Sequence, residues 1–203
     1  FHPRLAEVHR GSMRRSLGIG EHERLVLFVG NGFQRKGLPQ LLRALALLPT
    51  HVHLAVVGED RARAPLESLS GRLGLDRRVH WIGGQGDVRP WYAAGDVLAL
   101  PTLYDPFPNV VLESLACGLP VVTSGTCGAA EIILDGKNGI VCPDALDIES
   151  LATALERTAS AGEAWRAAAR ASAEPFSIER TARDLVGLYR GLLGEGALAA
   201  SGK

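Results

Sequence analysis

Six short apolar runs, each followed by a chain-breaking residue or a polar turn, alternate with stretches of helical spacing. They are Leu25 to Val29 before Gly30, Val52 to Val57 before Gly58, Val79 to Ile82 before Gly83-Gly84, Val97 to Leu100 before Pro101, Val121 to Thr123, and Gly139 to Cys142. Between them, Leu38 to Leu48 repeats apolar residues at helical spacing, with Pro39 tolerated in the first turn. Helices are also expected over Ala64 to Leu73, stopped by Gly74, and over Asp87 to Ala94, with Asp87 as N-cap and Pro90 near its start. Asn109 to Cys117 reads as a further helix, stopped by Gly118, and Ala129 to Leu134 as a short one. Three more follow at 147–159, 162–172 and 177–193. Strands that are apolar throughout are buried on both faces, which requires helices above and below a mostly parallel sheet. The fold class is therefore α/β, a three-layer α/β/α domain, and its ligands are expected beyond the carboxyl ends of the strands. No internal repeat is visible. Residues 1–24 read as a lead-in, 25–175 as the domain, 176–193 as a C-terminal helix, and the small polar segment 194–203 as a fraying tail.

Composition narrows the function classes. The 203 residues include 22 basic and 22 acidic side chains, so no broad nucleic-acid-binding face is expected. The length suffices to bury an ordinary core without disulfides or metals. Cys117, Cys127 and Cys142 are odd in number and contain no C-x-x-C pair, which gives neither a disulfide framework nor a zinc site. A reducing, cytoplasmic setting follows. No apolar run approaches the ~18–20 residues of a membrane span, and no secretory signal pattern is present at the start.

Three segments sit where a ligand is expected. Gly30-Asn31-Gly32-Phe33-Gln34-Arg35-Lys36-Gly37 joins the first strand to the first helix of the domain. Glycines permit a tight turn and close approach, a helix start favours an anion, and Arg35 and Lys36 add two cations of different reach. This reads either as a phosphate site or as a solvated turn. It is not the G-x-x-x-x-G-K-[ST] loop of nucleoside triphosphatases. Asp105-Pro106-Phe107-Pro108-Asn109-Val110-Val111-Leu112-Glu113 places two carboxylates around a helix start. Eight residues of helix span roughly 12 Å, too far for one acid/base pair but suited to the hydroxyls of two separate sugars. The alternative is that Asp105 caps the helix and Glu113 is a surface charge. Ser124 to Glu131 either lines a pocket or is a glycine-rich connection. Gly58-Glu59-Asp60 and Gly83-Gly84 either admit a base or ribose or are plain turns.

Other constellations are missing. None of His2, His9, His22, His51, His53 and His80 stands at catalytic or metal spacing from a Cys, Ser or second His. There is no G-x-S-x-G nucleophile site. Trp81, Trp91 and Trp165 read as packing residues.

In this order the motifs resemble the retaining glycosyltransferases of family 4, which have the GT-B fold. The resemblance runs from Leu25 to Cys142, with a further likeness of Phe176-Ser177-Ile178-Glu179-Arg180-Thr181-Ala182 to the family's last helix. It is carried by Phe28-Val29-Gly30 with Arg35-Lys36-Gly37, by Val56-Val57-Gly58-Glu59, and by Asp105 to Glu113 running on to Val122. Gly128-Ala129-Ala130-Glu131 and Asp135-Gly136-Lys137-Asn138-Gly139 complete it. The third piece is the family's E-x7-E signature, with Asp105 where Glu is usual, one methylene shorter. Asn31 replaces a common Arg, leaving Arg35 as substitute, and Ala130 replaces a common Pro. The run Gly-Phe-Gln-Arg-Lys-Gly is most similar to the glucosyltransferases of the lipopolysaccharide core.

The resemblance implies a Rossmann-like domain, the C-terminal, donor-binding half of a two-domain enzyme. Arg35, Lys36 and Asp105 would carry the catalytic role: the two cations bind the donor diphosphate and Asp105 the sugar hydroxyls. Glu113 would bind the ribose. Gly30 and the backbone N–H groups of Phe107, Asn109 and Val110 would hold the sugar and phosphates, and backbone near Ile82 would meet the base. No cofactor and no metal are expected, because cations and a helix dipole stabilise the leaving diphosphate. The expected partners are a nucleotide sugar, a glycan or glycolipid acceptor and an N-terminal domain, whose linker Phe1-His2-Pro3 resembles; membrane contact is expected to be peripheral. The chain alone is expected to bind a donor weakly and transfer nothing. Two other readings are a non-catalytic nucleotide-sugar-binding module and a nucleotide-sugar epimerase of the same fold. A dinucleotide oxidoreductase is disfavoured by the lack of G-x-G-x-x-G after the first strand.

Overall fold

The computed structural model describes residues 1–193; the fraying expected for 194–203 lies outside them. The elements are α1 (Leu5–Ser16), β1 (Arg24–Val29), α2 (Leu38–Leu47), β2 (Val52–Val57), α3 (Arg63–Arg72), β3 (Val79–Gly83), α4 (Arg89–Ala94), β4 (Val97–Leu100), α5 (Asn109–Ala116), β5 (Val121–Ser124), β6 (Gly139–Cys142), α6 (Ile148–Ala159), α7 (Glu163–Ala173) and α8 (Ile178–Leu193). Gly128–Ile132, expected as a short α-helix over 129–134, is a single 3-10 segment.

The strands form one parallel sheet in the order β3-β2-β1-β4-β5-β6. This is the Rossmann-like order, in which succession runs outward in one direction from β1 and in the other from β4. Helices α2, α3 and α6 pack together over one face. On the other face α1 lies on α4 and α5 on α7. Strands β1, β2, β4 and β5 are buried along almost their whole length, as their mostly apolar composition requires. Helix α2 buries Leu38, Leu41, Leu42 and Leu45, one stripe at helical spacing, each contributing about 1.5–3 kcal/mol by leaving water. Asp87 supports the start of α4 by accepting the Arg89 N–H, although Val88 holds the cap position.

Two features were not expected. The lead-in contains helix α1, which turns Arg10 and Arg14 inward beside Leu5 and Met13. Arg10 and Arg14 reach the buried Asp96 carboxylate at 2.6 and 3.1 Å, and Arg166 of α7 approaches it at 3.5 Å. The same carboxylate accepts the Leu25 N–H at 2.8 Å. Three cations and a backbone amide satisfy one buried anion, which fixes both α1 and α7 to the sheet.

The second is a histidine pair. Adjacent strands bring His53 and His80 together, Nδ1 to Nε2 at 3.2 Å, and Glu23 Oε1 lies 3.0 Å from His53 Nε2. With both rings neutral, His80 Nε2–H donates to His53 Nδ1 and His53 Nε2–H donates to Glu23, which satisfies both nitrogens of His53. Burial, and then the neighbouring His53, hold His80 below its ordinary value of 6.5. A group whose folded value is lowered contributes stability above its unfolded value, and that contribution is lost as pH falls. Thermal melting should therefore show a midpoint that drops from pH 7.5 to pH 5.5, with His80→Gln flattening the profile; an unchanged slope would discard this origin.

Candidate functional site

The loops after β1 and β4 leave adjacent strands toward helices on opposite faces, and Arg35 and Lys36 of the first meet Asp105 of the second. The β1–α2 loop is fixed from three sides. Gly37 has φ +78°, and a side chain there would strike the Pro101 carbonyl. Thr102 Oγ1 and the Leu103 N–H both donate to the Arg35 carbonyl, at 2.9 and 2.8 Å, joining this loop to the one after β4. Phe33 is buried against Phe28 and Trp81. Gly30 makes room for the Lys36 side chain: a Cβ at Gly30 would lie 2.9 Å from Lys36 Cε.

The anion-cradle reading of this loop needs a correction. The Gly32 and Phe33 N–H groups donate to Asp60 Oδ2 at 2.7 and 2.9 Å, and Asp60 Oδ1 accepts from Ala62. Backbone donation from Ala62 first, then Phe33, holds the Asp60 carboxyl below its ordinary value. Asp60, which the sequence left as base contact or plain turn, is the clamp of the loop. Two of the loop's amides are thus engaged by Asp60, and the loop also carries the cations Arg35 and Lys36.

Both cations meet Asp105. Lys36 Nζ and Arg35 Nη1 each lie 2.9 Å from Asp105 Oδ2, and Arg35 also donates to the Tyr104 carbonyl at 2.7 Å. The side chains of Lys36 and Asp105 are 10% and 9% exposed, whereas that of Arg35 is 48% exposed. Burial alone would raise the Asp105 carboxyl; hydrogen bonds from Lys36 and then Arg35 outweigh it and keep the group below the usual range. Two cations thus meet the Asp105 carboxylate, while the Asp60 carboxylate is bound to the backbone of the same loop. Asp105 does not cap α5, whose cap position is Pro108. Instead its backbone bridges Cys127, and its carbonyl accepts the Gly128 N–H at 2.8 Å. The Ser124–Glu131 segment thus braces Asp105, with Thr126 Oγ1 also donating to the Thr102 carbonyl at 2.7 Å.

Helix α5 starts at the crevice. Among the described residues, the N–H groups of Phe107, Asn109 and Val110 donate to no protein acceptor. These free amides, at the positive end of the helix dipole, are suited to an anion. Glu113, one turn further on, is half-buried and accepts the Tyr92 hydroxyl at 2.8 Å. Tyr92 was not singled out from sequence; no local pattern could have found it, since only the packing of α4 beside α5 makes the contact. Ile82 stands at a bulge: Trp81 pairs with Val56 and Gly83 with Val57, so the ladder passes over Ile82. The histidines lie elsewhere, His53 and His80 at the amino ends of the strands. Among the described residues no group of three or more His, Cys, Asp or Glu is placed to hold a metal ion.

Removing Asp105 strands a buried ammonium. Asp105→Ala should cost about 3–5 kcal/mol in chemical denaturation, and adding Lys36→Met should recover most of it. Additive losses in the double variant would show that the two groups do not interact.

The model of the family described as Glycosyl transferases group 1 matches residues 9–173. The lipopolysaccharide glucosyltransferase WaaG of Escherichia coli (strain K12) is 34% identical over 183 residues, covering 85% of this chain and 49% of that protein. The lipopolysaccharide core biosynthesis glycosyltransferase LpsE of Rhizobium meliloti (strain 1021) is 38% identical over 133 residues, covering 66% of this chain and 38% of its own length. A crystal structure of WaaG, described as involved in lipopolysaccharide biosynthesis, superposes with TM-score 0.75 at 34% identity, over 86% of this chain and 48% of that one. Anabaena HepE in complex with UDP and glucose shares the fold, with TM-score 0.79 at 24% identity over 93% and 54%. The chain thus spans about half the length of WaaG. It belongs to the glycosyl transferases of group 1.

Proposed function

We propose that this chain is the donor-binding half of a retaining glycosyltransferase. It moves a sugar from a nucleotide diphosphate sugar, UDP-linked and with glucose as the sugar, to a glycan or glycolipid acceptor in lipopolysaccharide core synthesis. One observation carries the reading: Lys36 and Arg35 both meet the buried Asp105 carboxylate, a few residues ahead of the three free amides at the start of α5. Cations, a helix N-terminus and a hydroxyl-accepting group are the set a sugar bound through a diphosphate calls for.

In this reading the diphosphate lies against Lys36, Arg35 and the amides of Phe107, Asn109 and Val110, beside Gly30. As the bond from the sugar C1 to the phosphate oxygen breaks, its electron pair stays on the diphosphate. Fixed positive groups already in place stabilise that charge without reorganisation. Asp105, kept ionised, accepts sugar hydroxyls. Glu113 accepts from the ribose, and the unladdered backbone at Ile82 faces the base. No metal takes part, so transfer by the whole enzyme is unaffected by a chelator. Retention of configuration rests on family resemblance. Since the chain spans about half of WaaG, the acceptor is assigned to the other half of the enzyme, and the domain alone transfers nothing. The enzyme works in the cytoplasm, at most peripherally at the inner membrane face; among the described residues no helix is long and apolar enough to cross a membrane.

Calorimetric titration of the chain with UDP, GDP, ADP and their glucose derivatives tests this. Selective binding of the uridine forms is expected, reduced about tenfold or more in both Lys36→Ala and Glu113→Ala, each of which loses a charge-assisted hydrogen bond. Binding of none of the six ligands at millimolar concentration would overturn the reading. Hydrolysis of UDP-glucose by the chain without acceptor would favour the epimerase, and binding with no transfer by the full-length protein the non-catalytic module.

A further inference from the structure

Glu113 is asymmetric in its surroundings. Its Oε2 accepts the Tyr92 hydroxyl at 2.8 Å, whereas among the described residues no group donates to Oε1. Tyr92 is buried in α4, with the edge of one ring against the other in its contact with Phe1, at 5.6 Å between centroids. Burial foremost, then the Glu113 carboxylate, push the Tyr92 phenol far above its ordinary value of 10. The phenol is therefore a permanent donor. Its other acceptor within reach is the Val110 carbonyl at 3.5 Å, a marginal contact.

A carboxylate on a flexible stem presents either oxygen, and either plane, to a ligand. One oxygen held from a rigid, buried phenol removes that freedom, and the loss is then not incurred on binding. We infer that Tyr92 is a positioning residue that holds Glu113 with its second oxygen free, so that the site selects nucleotides bearing ribose hydroxyls over their deoxy counterparts. The inference rests on the donor-site reading above. It adds to it a group that touches no substrate and a discrimination between sugars of the nucleotide.

The test pairs a deletion on the protein with one on the ligand. UDP, 2′-deoxy-UDP, 3′-deoxy-UDP and inorganic pyrophosphate are titrated into the chain and into Tyr92→Phe, which keeps the ring and removes the hydroxyl. The unaltered chain should prefer UDP to at least one deoxy form by about tenfold, the worth of a hydrogen bond to a charged group. Tyr92→Phe should shrink that preference to about twofold while pyrophosphate affinity stays the same. Equal preference in both proteins would overturn the role of Tyr92 and leave the donor site standing. So would a loss of pyrophosphate affinity in the variant, which marks a structural role only. Nucleotide binding without any preference would remove Glu113 from the ribose, and absence of binding to all four ligands would remove the donor reading itself.

Discussion

The reversal of strand succession between β1 and β4 is the constraint on which the rest depends. A parallel strand must be reached by a crossover, and crossovers of one hand place the helix on a face set by the direction of travel. Moving outward from β1 puts α2 on one face; moving outward from β4 puts α5 on the other. The two loops therefore part at adjacent strand ends, and backbone that would otherwise be covered is left open. The cations come from the first loop, and the free amides and carboxylates from the second. Neither loop alone forms the cluster of Lys36, Arg35 and Asp105.

What holds the parted loops in register is electrostatic as well as steric. Asp105 belongs to the second loop and is met by Lys36 and Arg35 of the first. Gly37 against Pro101 and the bonds to the Arg35 carbonyl fix the backbone beneath them. A carboxylate that ties Lys36 and Arg35 in place holds both cations in fixed positions without further rearrangement. The shorter Asp, in place of the family's usual Glu, is braced through its backbone by Cys127 and Gly128.

Much of this was legible in the sequence, because unbroken apolar runs of strand length admit few arrangements and the glycines and prolines that end them mark where loops must turn. The positions of Lys36, Asp105 and Glu113 followed from their place after strands. What stayed hidden is tertiary. Helix α1 packs Leu5 and Met13 inward but interleaves them with Arg10 and Arg14, so its inward face does not read as an apolar stripe. Asp60 clamps a loop 27 residues away in sequence, and Tyr92 meets Glu113 across 21. His53 and His80 pair because β2 and β3 lie side by side, a fact of register that spacing does not contain.

The Asp96 cluster also decides where this polypeptide can be cut and rejoined. Arg10 and Arg14 precede the first strand, and Arg166 follows the last, yet all three converge on one carboxylate at the foot of β4. Helix α1 is therefore part of the same folding unit as the sheet. A chimera spliced at the start of β1 would expose the side of α4 that α1 covers and leave Asp96 with its most distant cation. A recombination joint placed ahead of Leu5 keeps Arg10 and Arg14 with the carboxylate they meet, and with it the charge balance of the cluster.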